Sequence, residues 1–116
     1  MGRAIVMHID EAPETYKAPR DEKGEPRNIQ QLVGDEDKGP WVYINRLKPG
    51  MVVGAHSHTQ DEVIFIVEGE LTMGSRTCGP GTVLCMERDT QYGFTVGDKG
   101  VRFLNIRPGA SKLQVD

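Results

Sequence analysis

His56, His58 and Glu62 are the residues of this sequence whose types and spacing could do chemistry. Two neutral imidazoles and a carboxylate form a 2-His-1-carboxylate donor set, which leaves positions on one ion open to substrate or oxygen. The histidines stand two apart. On a strand both rings fall on one face, roughly 6.6 Å apart along the chain, whereas on a helix they point to different sides. Val52 and Val53 before the pair and the run EVIFIV after it favour strand. Glu62 demands more: on a continuous strand it would lie about 13 Å from His58, and metal–ligand bonds are only about 2.1 Å long. One ion joins all three only if the chain turns back across Thr59, Gln60 and Asp61, which are small or polar residues suited to a turn. The plainer alternative is a pair of surface histidines beside a solvated acid, and an isolated His-x-His would mean no more than that.

The elements that must position these residues come from a chain of 116 residues, enough for one domain with one core. A formal net charge of −3 and a pI near 5.6 provide no basic patch, which argues against nucleic acid as a partner. No apolar run approaches the ~18 residues of a membrane span. The start, MGRAIVMH, lacks the long apolar region of a signal peptide, and Val6 stands where a myristoylation signal needs Ser or Thr. A soluble, cytoplasmic protein is expected. Cys78 and Cys85 are too few for a disulfide framework and are expected to be buried, reduced thiols.

Residues 1–38 read as an extended arm, with one short strand expected at 4–9 and a polar stretch at 11–28 that holds Pro13, Pro19 and Pro26. His8 has nothing near it to complete a site. Residues 39–116 are expected to form the globular part. In WVYINRL, residues 41–47, Trp41, Tyr43 and Asn45 share one strand face and Val42, Ile44 and Arg46 the other; Tyr43 and Arg46 are candidates for lining a ligand pocket. Trp41 belongs to the core or a lid over it. If Glu62 points inward, Ile64 and Ile66 join it, and Val63, Phe65 and Val67 face outward. An apolar outer face implies a second covered surface, from the arm or from another copy of the chain, and a homodimer is expected. Turns are expected at 69–70, 79–81, 88–90 and 97–100, and no helical stretch intervenes. The pattern is all-β, a barrel or sandwich.

Gly50, five residues, His56-x-His58, three residues, Glu62, six residues and Gly69 together resemble the first motif of the cupins, small jelly-roll or double-stranded β-helix barrels. The resemblance implies one divalent transition metal (Fe, Mn, Ni, Co or Zn) held by His56, His58 and Glu62. The family's second motif carries a Gly, a Pro-x-Gly turn and a metal-binding histidine. Gly74, Pro80 and Gly81 fall near those places, with Pro80-Gly81 one residue short, and Tyr92 stands where the histidine would be. No histidine follows His58. Three roles for Tyr92 stay open: a phenolate ligand, a hydrogen-bond donor or proton-transfer group beside the metal, or a packing residue. The activities implied are those of a dioxygenase, isomerase, epimerase or lyase acting on a small molecule. The alternatives are a small-molecule-binding module without catalysis, with or without metal, and a barrel used only for assembly. In small cupins such arms cover a barrel or reach to a partner subunit.

Overall fold

The computed structural model describes Gly2, residues 4–10, 29–34 and 39–109, and strand residues 113–114; for 29–31 and 113–114 only the backbone is described. The strands are β1 (Ile29–Val33), β2 (Trp41–Leu47), β3 (Val52–His58), β4 (Glu62–Met73), β5 (Arg76–Cys78), β6 (Val83–Met86), β7 (Tyr92–Arg107) and β8 (Leu113–Gln114). All pairing is antiparallel, in the order β1-β2-β7-β3-β8, while β4 pairs with β5, β6 and β7. No helix occurs among the described residues, so none is long and apolar enough to cross a membrane. This is the jelly-roll β-barrel that the strand pattern and the resemblance implied.

The two long strands do the folding over. β4 passes through Gly69 without turning, because a positive φ of 72° there bulges the strand, and its register against β7 shifts between Gly69 and Leu71. A Cβ at Gly69 would collide with the Gly100 carbonyl, so the two backbones can approach only at a glycine. Residues 97–100, expected as a separate turn, are likewise taken up inside β7. On one side of them Thr95 pairs with β3, and on the other Val101 pairs with β2. A single strand thus serves both halves of the barrel.

Alternation on β4 matches the expectation: Glu62, Ile64 and Ile66 are buried, Phe65 is exposed, and Val63 and Val67 are half-buried. Ile64, Ile66, Leu71, Tyr92, Phe94, Val96, Val101 and Phe103 lie in the core cluster. Other expectations need correction. Residues 4–9 take no strand. Ile29–Val33 pairs with β2, so the sheet begins ahead of the boundary placed at residue 39. The polar stretch of the arm, residues 11–28, lies outside the described residues. Cys78 is buried, but Cys85 is exposed, since on β6 it is Leu84 and Met86 whose parity points inward.

The candidate site at the barrel mouth

β3 carries His56 and His58 to the barrel, and the two rings meet edge to face with centroids 5.1 Å apart, on one side of the strand as the spacing implied. The expected reversal is not a hairpin. No ladder joins β3 to β4; the His56 end of β3 pairs with the start of β7 and the Glu62 end of β4 with the last part of it, while the Asp89 amide donates to the His58 carbonyl at 2.8 Å. Residues 59–61 therefore cross a corner of the barrel, and it is this corner that delivers Glu62 beside His58.

His56 is paired across the ladder with Tyr92, whose ring lies 4.4 Å from its own between centroids. Its Nδ1 lies 2.8 Å from the Gly54 carbonyl, an acceptor, so in the neutral ring Nδ1 carries the proton and Nε2 the lone pair. His58 Nε2 is 3.5 Å from Glu62 Oε2, and its Nδ1 is buried with no hydrogen-bond partner among the described residues. Burial, and next the positive charge of Arg107, hold His58 below the ordinary imidazole range, against the opposing pull of Glu62. The ring is neutral at pH 7, as a metal ligand must be.

Glu62, only 1% exposed, is the centre of the site. Its Oε2 accepts the Tyr92 hydroxyl at 2.7 Å, and its Oε1 accepts the Asn105 amide and the Arg107 Nη2 group, the latter at 3.0 Å. Asn45 on β2 donates in turn to the Asn105 side-chain oxygen, which orients that amide. A carboxylate so deep in the barrel needs these donors, since an unpaired buried charge is costly. Burial, and then the Glu62 charge and hydrogen bond, push the Tyr92 phenol well above its ordinary value. Tyr92 is therefore a protonated donor to Glu62 in this arrangement.

Arg107 closes the cluster. Its Nη2 is 3.3 Å from His58 Nε2, and its guanidinium lies 5.1 Å from the centre of the Tyr43 ring. Tyr43 thus stands beside the cluster. Arg46 does not: it faces the other way on β2 and approaches Asp10 at 3.8 Å, in a separate cavity of about 640 Å³ that also includes Glu68, Lys99 and Arg102. Sequence reasoning missed Asn45, Asn105 and Arg107 as site residues. For the last two the signal was present: Val101 and Phe103 point inward on β7, and the same parity places Asn105 and Arg107 there, two polar residues in a core row.

The chemistry of the donors fits a divalent transition metal: two imidazoles, one with its tautomer set and the other neutral, next to a carboxylate. In the present arrangement, among the described residues, no three His, Cys, Asp or Glu side chains are gathered closely enough to hold one ion. Glu62 is instead turned to Arg107, Asn105 and Tyr92.

The family model for the ChrR cupin-like domain matches residues 10–105. No curated protein matches the sequence. Among solved structures, the polyketide cyclase RemF from Streptomyces resistomycificus superposes with a TM-score of 0.69 at 19% identity, covering 98% of this chain and 84% of that one. A protein with a double-stranded β-helix domain from Klebsiella pneumoniae gives 0.64 at 16% identity, covering 98% of this chain and 100% of its own. A salicylate 1,2-dioxygenase variant from Pseudoaminobacter salicylatoxidans gives 0.55 at 18% identity, covering 66% of this chain and 25% of that one. At these identities the likeness is one of fold.

Proposed function

This chain belongs to the ChrR cupin-like family, and from that premise we propose that it is a metal-dependent enzyme acting on a small molecule at the barrel mouth. His56, His58 and Glu62 are the metal ligands in this reading. The observation that carries it is the meeting of His58 Nε2 and Glu62 Oε2 at 3.5 Å, a separation suited to two donors of one ion. When bound, a divalent ion supplies Lewis acidity, with positions left open for substrate oxygens or O₂. The chain's own residues supply the rest. Tyr92 keeps its proton and donates it to Glu62 Oε2, which fixes the carboxylate's orientation. Asn45 holds Asn105, and Asn105 holds the other carboxylate oxygen. Tyr43 forms a wall beneath Arg107 where a ligand meets the protein. The solved relatives, a cyclase and a dioxygenase by description, support a small-molecule reaction of dioxygenase, isomerase or lyase type.

Cobalt(II) titration of the purified protein tests the reading. A single site is expected whose affinity falls at least roughly 10-fold in His56→Ala and in His58→Ala, the order of loss that follows when ligand support is removed. No binding to the wild-type protein sinks the metal reading. Oxygen uptake and turnover with catechols and small carbonyl compounds then separate an enzyme from a binding module. The binding-module alternative draws on a specific observation: Glu62 is already satisfied by Tyr92, Asn105 and Arg107.

We also propose that the chain is a homodimer joined through the outer face of β4, β6 and β7, working in the cytoplasm. Phe65, Val83 and Ile106 are exposed there, with Val63 and Leu104 beside them in the ladders. Two free cysteines suit a reducing compartment. Phe65→Asp is expected to convert the dimer to monomer in sedimentation velocity; a wild-type monomer refutes the interface.

A further inference from the structure

Apart from the cluster at the barrel mouth, the cavity of about 640 Å³ beside the Gly69–Gly100 crossing has the size of a small-molecule site. The ladders set Arg46 and Glu68 on either side of Arg102, on β2, β4 and β7. Glu68 takes Arg102 Nη1 at 3.0 Å, and two arginines directly opposite each other still repel. Asp10 is the anion lodged between them, with Oδ1 2.5 Å from Arg102 Nη2 and 3.8 Å from Arg46 Nη2. It fits the seat poorly. Arg46 is left at a distance, and Asp10 takes one donor of a guanidinium edge that has two. Nε, the other donor on that edge, is buried with no hydrogen-bond partner among the described residues. The carboxylate is also loosely carried: residues 4–10 join no strand, and the Asp10 side chain is 58% exposed, so its ion pairs contribute little. Lys99 borders the cavity too, and a neighbouring one with Glu70 and Asp98. Without Asp10, the described lining sets Arg46, Lys99 and Arg102 against Glu68.

We propose that this cavity binds the phosphomonoester group of a small molecule, and that Asp10 holds the place of that group until the ligand displaces it. A phosphomonoester carries a charge of roughly −1.5 to −2 near pH 7 and presents three acceptor oxygens. It can serve both donors of the Arg102 edge and Arg46 together, which one carboxylate does not. The cavity is larger than the phosphate alone and leaves room for the rest of the molecule. Exchange releases the Asp10 end of the N-terminal segment, which Arg102 also holds through the Ile9 carbonyl at 3.5 Å. The site is independent of the metal reading and stands or falls without it.

Calorimetric titration of the full chain with phenyl phosphate as the probe tests this, on protein freed of metal and held in Tris-chloride at low salt and about pH 7.5. Wild-type protein is expected to bind a single equivalent. Phenyl sulfate, similar in shape but with one charge, is expected to bind roughly 10-fold more weakly, as are Arg46→Gln and Arg102→Gln to phenyl phosphate. Asp10→Asn is expected to bind phenyl phosphate about 2- to 5-fold more tightly, the range for removing an exposed competing ion pair. Saturation of the wild type is expected to shift the His8 ring resonance in NMR, since His8 Nδ1 accepts the Asp10 amide at 3.1 Å. Absence of binding to the wild type overturns the site, as does undiminished binding by either arginine variant. Equal or weaker binding by Asp10→Asn, or an unmoved His8 resonance, overturns the exchange. Inorganic phosphate that binds as tightly as phenyl phosphate makes the free ion the ligand and overturns the small-molecule assignment. Should Arg102→Gln not fold, Arg46→Gln decides alone, because the Arg46 side chain is half exposed.

Discussion

Arg102 and Arg107 lie on the same strand, and both side chains are 12% exposed, yet they sit in different electrostatic worlds. Arg107 points into the barrel and is held by a carboxylate that is 1% exposed. Arg102 points out, where it is held by Glu68 at 3.0 Å and Asp10 at 2.5 Å, whose side chains are 65% and 58% exposed. The outer arginine has a structural task. It stands directly opposite Arg46 in the ladder, and Asp10, reaching both, relieves that like-charge pairing. The inner one has Asn105 and Tyr92 around its partner, a set of polar groups that a core would not hold without a reason. Exposure of one side chain therefore says little about an ion pair. What decides its consequence is whether the partner can turn to water instead.

The comparison is tested most severely at Glu62. Glu62→Ala removes the buried carboxylate that accepts from Arg107, Asn105 and Tyr92, and removing one member of such a buried pair is expected to cost about 3–5 kcal/mol in urea denaturation. A loss near that of an ordinary surface change would mean Arg107 escapes to solvent and the two arginines are alike.

A smaller effect is expected from pH, in metal-free protein kept in chelator. His58 has its folded pKa below the unfolded value of 6.5, so the unfolded chain takes up its proton first as pH falls. Stability is complete above about pH 6.5 and declines below it until the folded value is reached. His58→Gln is expected to flatten that limb of the denaturation midpoint against pH. A limb of unchanged slope would place the titration elsewhere.

The least effect is expected at the outer end. Asp10→Asn should move the thermal midpoint slightly at low salt and not at all at high salt, because the Asp10 carboxylate itself is exposed and open to screening. Arg102 holds the Asp10 carboxyl below the usual carboxylate range, so any contribution of this contact is present above about pH 3.8 and fades as pH falls below it. A drop as large as that of Glu62→Ala would show that the N-terminal segment is a structural part of the barrel.

How far the site could be read in advance depended on whether its residues were neighbours in the chain. His56 and His58 share a face because a strand repeats every two residues, and the inward row Glu62, Ile64 and Ile66 follows from the same rule. Tyr92 was brought forward by its place in a spacing pattern, but its partner was not. That it donates to Glu62 depends on β7 crossing both β3 and β4. Cys85 was misread as buried because composition alone ignores the parity of β6.

Residue types and short-range periodicity were enough to establish an all-β chain, the strand face of each nearby side chain and the donor set of a candidate metal site. Tertiary structure alone decided that Arg107, remote in sequence, would share the carboxylate of Glu62, and that of the two faces of β2 it would be the one with Tyr43, and not the one with Arg46, that meets the site. The physical reason is that alternation is a local property of the backbone, fixed by each strand by itself. Which charges face one another depends on strand order and register, and these are settled only when the whole barrel closes.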